Sequence, residues 1–235
     1  QYHSMQLSMN KRFSRGFTIL SSYTWAKDVG LVAAQNEGSQ GPRHPLNFNL
    51  DKGRMGTDVR HRFVSSYVWR LPGAGAFSGS PLRWLLAGWE TNGIVTLQSG
   101  SPFTVRSGVD NSYFGVGGDT ADLVGDSRLD TDRPRADLIA RYFNTAAFVR
   151  NAPGTVGTSG INILDGPGMA TFDLGINKEF AITESQSLQF RSEFFNALNR
   201  VNLGNPNATQ NSVNFGRITS AGDPRVIQFG LKYRF

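Results

Sequence analysis

The densest group of side chains with metal-binding chemistry is a run of aspartates in the middle of the chain. Its seven members are Asp110, Asp119, Asp122, Asp126, Asp130, Asp132 and Asp137. Carboxylate oxygens suit calcium, but an EF-hand loop needs a fixed ladder of ligands that closes on a glutamate, which this run lacks. Aspartate is also a common turn residue, and arginines alternate with these aspartates (Arg128, Arg133, Arg135 and Arg141). The sequence favours a solvated loop of mixed charge, with calcium binding over residues 119–137 left open.

Other reactive groupings are weak or missing in the sequence. There is no cysteine, which excludes disulfides, thiol nucleophiles and cysteine-ligated metals. The three histidines, His3, His44 and His61, are too scattered for a histidine metal site. The stretch Gly115–Gly118 resembles a dinucleotide fingerprint, but its sixth position is Thr120 and no helical pattern follows. No carboxylate pair is singled out for glycoside hydrolysis. We therefore expect no catalytic residues, no cofactor and no resident metal.

The overall charge gives little indication of function. The chain has 235 residues and a net charge of +6, and charged residues make up only 18% of it. The basic residues form no run and no recognised motif, which argues against nucleic-acid binding. The longest apolar runs, such as residues 84–87, are far shorter than the roughly 20 residues of a membrane-spanning helix.

An alternation of apolar and polar residues, the period of a β-strand, dominates the chain. In the last segment the apolar residues Ile227, Phe229, Leu231, Tyr233 and Phe235 alternate with polar residues or glycine. Six earlier segments repeat the pattern, at 5–10, 17–25, 60–71, 85–98, 172–180 and 188–194. Most have some 10 residues, which suits a tilted strand crossing a bilayer (about 9–11 residues) better than a soluble strand (about 5–6). The sequence predicts about seven long strands.

The links between these strands alternate in length. Residues 13–16, 72–83 and 181–186 form short links, whereas 28–58, 101–168 and 198–224 form long ones. Short turns at one end and long loops at the other are typical of outer-membrane β-barrels, whose short turns face the periplasm. If the last strand ends at the periplasm, every long link is extracellular.

The aromatic residues fit the two girdles of such a barrel, because tyrosine and tryptophan prefer the membrane–water boundary. Trp69, Phe180, Tyr233 and Phe235 mark the periplasmic boundary. Tyr23, Trp25 and Phe63 mark the outer one. The alternative is that these rings fill the core of a soluble β-sandwich.

The opposite face of the strands is predicted to line the barrel lumen. It carries both signs of charge: Arg60, Arg62, Arg70, Glu90, Asp173, Glu179, Arg191, Glu193, Lys232 and Arg234. These residues form either a structural ladder of cross-strand pairs or a surface that docks a plug or guides a solute. For any single residue the structural role is favoured.

Several stretches resemble one known family. They are Asp58-Val-Arg-His-Arg-Phe63 with Ser65-Ser66-Tyr67, Gly88-Trp89-Glu90 leading to Gln98-Ser-Gly-Ser-Pro-Phe103, Tyr142-Phe-Asn-Thr-Ala-Ala-Phe148, Gln189-Phe-Arg-Ser-Glu-Phe-Phe-Asn-Ala-Leu-Asn199 and Asn214-Phe-Gly-Arg-Ile-Thr219. Over essentially the whole chain the sequence resembles the C-terminal end of the barrel in TonB-dependent receptors of the Oar-like type. The resemblance implies a barrel of about 22 strands with a plugged lumen. It also implies an N-terminal plug with the segment that TonB pulls, and commonly a regulatory β-domain before the plug.

The plug, the regulatory domain and about two-thirds of the barrel are not found in residues 1–235, so we expect a fragment. The odd strand number agrees, since closed barrels of this kind have even numbers and unpaired edges in lipid are costly. The non-Met start without a signal peptide points the same way. The terminal alternation of Phe229, Leu231, Tyr233 and Phe235 resembles the signal read by the barrel-assembly machinery.

The sequence thus predicts an all-β, antiparallel transmembrane barrel segment with long extracellular loops. The expected function is a non-enzymatic outer-membrane receptor and transporter, for uptake or export of an unidentified solute, in a Gram-negative-type bacterium. Its expected partners are outer-membrane lipid and lipopolysaccharide, the missing plug and remaining barrel, the assembly machinery, and TonB only through that plug. The alternatives are a secreted β-sandwich that binds a ligand such as a glycan, and a small outer-membrane porin or enzyme.

Overall fold

β-Strands dominate the computed structural model, which describes residues 1–13, 16–31, 42–72, 85, 87–115 and 118–235. The strands are β1 (Tyr2–Arg12), β2 (Phe17–Leu31), β3 (Lys52–Arg54), β4 (His61–Arg70), β5 (Trp89–Gln98), β6 (Pro102–Phe103), β7 (Asp122–Leu123), β8 (Phe148–Val149), β9 (Leu164–Asp165), β10 (Met169–Ala181), β11 (Ser187–Phe195) and β12 (Val226–Arg234). A six-residue helix, α1, spans Arg135–Ala140, and single 3-10 turns span Phe48–Asp51 and Thr145–Ala147. No helix among the described residues is long and apolar enough to cross a membrane.

The seven predicted long strands are confirmed. They form one antiparallel meander in chain order, β1-β2-β4-β5-β10-β11-β12, and β3 pairs with the end of β2. The short links join strands at one end of this sheet and the long links at the other. Within the described part of the chain β1 and β12 pair only with β2 and β11, so the sheet is open at both edges.

Two predicted strand boundaries were wrong. β5 begins at Trp89, so Leu85 and Ala87 are not part of it. Gly88 has a φ of +75°, and this left-handed conformation breaks the extended run before Trp89. β2 continues to Leu31, beyond the expected start of the loop at residue 28, because its last residues pair with β3.

Some predicted features lie outside the described residues. They are residues 14–15 of the first short link, 73–83 of the second, part of the first long link, and two positions of the glycine-rich stretch at 115–118.

The register places the predicted apolar residues on one face of the sheet. Directly paired residues share a face, and one row across the strands runs Leu7, Tyr23, Phe63, Leu97 and Ala170. The two predicted aromatic girdles lie near opposite ends of this face. Near the short-link end Phe180, Leu188 and Tyr233 pair in one row, and Trp69 packs edge-on against Phe17 at 6.3 Å between ring centroids.

The alternation has exceptions on both faces. Leu20, Val68 and Ile94 lie on the polar face. Lys178 lies on the apolar face, opposite Trp89 and Phe190, and is 1% exposed. Its ammonium donates to the Ala87 carbonyl and lies 4.8 Å from the centre of the Phe180 ring. This cation is therefore solvated by a carbonyl and by aromatic rings at the short-link end of the apolar face.

The long loops fold into a layer with a core of their own. Phe103, Val105, Ala121, Phe143, Ala147, Phe148 and Leu164 form its buried cluster. The two-stranded ribbons β6–β9 and β7–β8 run through this layer. Of the described buried apolar side chains, only Ala26 belongs to a long strand. The sheet keeps its apolar side chains on an open face, as a wall that contacts lipid does, and the loops bury theirs against one another.

Candidate ligand-binding cleft in the loop layer

A chain of ion pairs around the buried Asp58 connects the loop layer to the sheet. Asp58 is 0% exposed and accepts a hydrogen bond from the backbone N–H of Asp28 in β2, at 2.7 Å. It also accepts one from Arg54 Nε at 2.6 Å, and Arg60 Nη2 lies 3.9 Å from it. Arg54 in turn binds Asp165 of β9 at 2.6 Å. The first and second long loops are therefore joined through one guanidinium at the end of β2.

A second buried arginine, Arg43, holds the first long loop against the middle of the second. Its Nε lies 3.1 Å from Asp51 Oδ1, and its Nη1 donates to Thr120 Oγ1 at 2.9 Å and to the Ser159 carbonyl at 3.2 Å. Burial lowers the pKa of the Arg43 guanidinium, and the hydrogen bond and charge of Asp51 oppose that shift. These contacts join segments far apart in the sequence into one layer.

The aspartate run is used for hydrogen bonding within the protein. Asp119 is 1% exposed and accepts from the Ser112 backbone N–H at 2.8 Å and from Asn151 Nδ2 at 3.0 Å. Asp126 and Asp130 each accept from the backbone N–H two residues further along, as turn residues do. The expectation of a solvated loop was therefore wrong for Asp119 and right for the exposed turns. No group of three or more acidic or histidine side chains in the described ranges could hold a metal ion.

A cleft of about 830 Å³ opens in the loop layer. Residues from three segments line it: 128–143, 164–168 and 199–203. The apolar part of its lining, which we call the floor, consists of the half-buried Leu129, Leu138 and Leu203 together with the buried Phe143 and Leu164 of the loop core. A volume of this size is typical of small-molecule sites, which join an apolar lining to a few polar groups.

Three arginines line the cleft: Arg128 and Arg135 from one segment and Arg200 from another. Over the described ranges, their guanidinium groups make no ion pair with an acidic side chain. The one acid among the described lining residues, Asp165, is already bound to Arg54. The cleft therefore has an excess of positive charge at its rim.

Neighbouring groups hold the cleft wall in place. Arg133 donates to the carbonyls of Asp130, Arg141 and Tyr142 at 2.5 to 3.3 Å, which braces the loop around α1. Burial raises the pKa of the Tyr142 hydroxyl, and the charge of Asp165 adds to this shift, so Tyr142 is a neutral donor in the cleft wall.

The predicted lumen residues share the polar face and form ion pairs there. Arg70 pairs with Glu90 at 2.9 Å, Arg234 with Glu179 at 3.5 Å and Arg191 with Glu193 at 2.6 Å. A cavity of about 530 Å³ at the short-link end is lined by the first four of these residues. The first two pairs join different strands, as in the structural interpretation, whereas Arg191 and Glu193 lie two residues apart on β11.

The other predicted lumen residues have different positions. Asp173 accepts from the Asn196 backbone N–H at 2.8 Å, so it caps the end of β11. Arg62 and Lys232 lie within the polar face, opposite Gln98 and Gln189. Arg60 precedes β4 and lies at the base of the loop layer, near Asp58.

The predicted assembly signal lies on the exposed edge strand. Phe229, Leu231 and Tyr233 alternate along β12 on the apolar face, and Phe229 stacks on Phe190 with 6.1 Å between ring centroids. Phe235 is 94% exposed and stacks on Tyr233 at 5.8 Å. The segment presents a row of rings beside an unpaired strand edge.

Sequence reasoning missed how the loop layer closes over the sheet. Asn196 and Asn199 both have a φ of +50°, a conformation that asparagine tolerates best after glycine. The Asn196 side chain binds the backbone of Arg200 on both sides, by accepting from its N–H and donating to its carbonyl, each at 2.9 Å. This turn brings Arg200 to the cleft. The local sequence signal for this turn is the stretch Phe-Asn-Ala-Leu-Asn at residues 195–199.

A meander of long antiparallel strands, apolar on one face and polar on the other, with a folded loop layer at one end, defines the wall of a transmembrane β-barrel. The sequence model of the outer membrane beta barrel domain family matches residues 1–228, and the chain belongs to this family. Membership of this family locates the protein in the outer membrane of a Gram-negative-type bacterium, as predicted. No curated protein is significantly similar to the chain. The alternative of a secreted β-sandwich is wrong, because the seven long strands form one sheet.

Proposed function

We propose that the protein is a TonB-dependent receptor that moves a solute across the outer membrane, and that residues 1–235 form a C-terminal part of its barrel. The observation that carries this proposal is the folded loop layer with its 830 Å³ cleft, placed at the long-link end of an outer-membrane barrel wall. A passive pore needs an open mouth, whereas a receptor needs a shaped surface that binds its solute first. The Oar-like sequence stretches support the same class.

The two faces and edges of the sheet have separate roles in this proposal. The apolar face contacts lipid, and the ion-pair ladder of the polar face, including Arg70 with Glu90, faces the lumen and a plug. The open edges at β1 and β12 pair with the other strands of a barrel of about 22, because unpaired edges are costly in lipid. The loop layer binds the solute outside, and no step requires a catalytic residue.

The test is binding to TonB. The protein expressed from its complete gene, with any segments encoded before Gln1, is mixed with the periplasmic domain of TonB. We expect specific binding by the protein from the complete gene and none by residues 1–235 alone, since the TonB-contacting segment lies in the plug. A protein from the complete gene that fails to bind TonB overturns the proposal. Heat-modifiable gel migration of residues 1–235 alone would favour a small self-sufficient porin instead.

We further propose that the row Phe229, Leu231, Tyr233 and Phe235 is read by the barrel-assembly machinery. Phe235 is almost fully exposed, so its replacement removes little packing within the fold. We expect Phe235→Asp, in the protein from the complete gene, to lower its outer-membrane level several-fold. Val213→Asp, at an equally exposed loop residue, is the matched control. Equal surface levels of the Phe235→Asp variant and the parent protein would contradict this role.

A further inference from the structure

We propose that the loop-layer cleft binds an anionic group carried on an apolar body. The inference deepens the proposed function, on which it rests, by assigning the chemical class of the ligand. It is carried by the positions of Arg128, Arg135 and Arg200 around a cleft whose floor is apolar.

The guanidinium groups of the cleft arginines make no ion pair with an acidic side chain of the described residues. Arg128 and Arg135 belong to a loop rich in aspartate, yet within the described chain no aspartate pairs with their guanidinium groups. Asp126 and Asp130 instead accept hydrogen bonds from the backbone of their own turns. Among the described lining residues, the segment 128–143 therefore contributes Arg128 and Arg135 and none of its aspartates.

The apolar floor of the cleft indicates that the ligand also has an apolar part. The buried members of the floor, Phe143 and Leu164, belong to the loop core, and its half-buried leucines, such as Leu129 and Leu138, are the apolar side chains that a ligand can cover. A small hydrated anion would leave this floor uncovered. A ligand with an aromatic or aliphatic body covers it, while a phosphate or carboxylate meets the guanidinium groups in the paired geometry that arginine favours.

Two sources can supply this chemistry: a free solute or the phosphates of lipopolysaccharide. Arg200 lines the cleft and also a smaller cavity beside Tyr23, His61 and Phe63 of the apolar face. The cleft is thus within reach of the outer rim of the lipid-facing surface, and the test has to separate the two sources.

The experiment uses the protein expressed from its complete gene and inserted in lipid nanodiscs. Calorimetry compares 1-naphthyl phosphate with 1-naphthyl glucoside, which has the same ring and no charge, and with inorganic phosphate. We expect 1-naphthyl phosphate to bind at least tenfold more tightly than either. Equal affinity for the phosphate and the glucoside overturns the proposal, and this comparison needs no variant.

Variants then locate the binding site. Arg128→Gln with Arg135→Gln should weaken 1-naphthyl phosphate binding at least tenfold, since each removes a charged hydrogen-bond donor. Arg150→Gln, an exposed arginine of the same long loop outside the cleft lining, should change it less than twofold. Equal losses in the double variant and the control overturn the assignment to the cleft.

The source of the anionic group is identified by measuring 1-naphthyl phosphate binding in nanodiscs with and without lipopolysaccharide. Competition by lipopolysaccharide supports the proposal with the lipid as ligand, and unchanged affinity supports it with a free solute. The outcome is independent of TonB. If 1-naphthyl phosphate binds in a charge-dependent way but TonB does not bind, the proposed transport function is overturned and the proposed ligand class stands. If TonB binds but the phosphate has no advantage over the glucoside, only the proposed ligand class is overturned.

Discussion

Replacing Asp58 should open the loop layer without disturbing the sheet. The Asp58 carboxylate has no exposure and accepts hydrogen bonds from the Asp28 backbone and from Arg54, at 2.7 and 2.6 Å. Arg54 is 19% exposed and keeps a second partner in Asp165. In Asp58→Ala the Asp28 N–H loses its acceptor, and Arg54 keeps one acid in place of two.

The size of the effect follows from these contacts. Asp58→Ala leaves the Asp28 N–H without its acceptor, which costs about 1–3 kcal/mol, and removes the charged hydrogen bond to Arg54, which contributes about 1.5–3 kcal/mol. The layer should therefore be destabilised by about 3–5 kcal/mol. Asp58→Asn keeps an acceptor for the Asp28 N–H, but its amide NH2 then faces the Arg54 Nε–H, so the charged hydrogen bond to Arg54 is lost. A hydrogen bond to a charged group contributes about 1.5–3 kcal/mol, which sets the expected cost of the amide variant.

Amide hydrogen exchange in nanodiscs measures the opening of the layer directly. A loss of about 3 kcal/mol speeds exchange over residues 52–60 and 161–166 by roughly 100-fold. Exchange in the middle of β10 should not change. Glu184→Gln, in the exposed short link at the opposite end, is the control. If Asp58→Ala speeds loop exchange by less than about fivefold, the ion-pair chain does not hold the layer, and the reasoning fails.

Three further outcomes are expected. Gly93→Ala should destabilise the sheet by about 1–3 kcal/mol in denaturant unfolding, because the added Cβ would lie 2.5 Å from the Tyr67 ring. Gly230→Ala is the control: its Cβ would lie 3.8 Å from the nearest atom, so its stability should change by less than about 0.5 kcal/mol. Equal effects of the two variants would contradict the prediction. Asn196→Ala should cost about 2 kcal/mol through strain and lost side-chain hydrogen bonds, read as faster exchange at residues 197–203. The raised pKa of Tyr142 means that its contribution to stability is full below the unfolded-state pKa near 10 and is lost as pH rises through the higher folded-state pKa. Subtracting the 295 nm titration of Tyr142→Phe from that of the parent should place its midpoint above 10, and a midpoint at or below 10 would refute the burial argument.

Much of the wall could be predicted from the sequence because its signal is local. An apolar residue at every second position specifies both a strand and the face it presents, and this was sufficient for seven strands and both aromatic rows. The errors fall where one residue overrides the pattern, as at Gly88, or where a distant partner extends a strand, as β3 does for β2. The position of Lys178 on the apolar face was missed because the carbonyl that accepts from its ammonium belongs to Ala87, which is 91 residues away in the link before β5.

The sequence by itself determined an outer-membrane barrel wall, since lipid on one side and polar surroundings on the other impose a period of two on every crossing strand. Only the tertiary structure decided what the long links do. Asp58, Arg54 and Asp165 are joined across more than 100 residues, and Arg128 and Arg200 meet one cleft from separate loops. Such contacts have no period, because they depend on how whole loops pack. The alternation therefore revealed the strands, and the loop core, the buried Asp119 and the cleft required the folded chain.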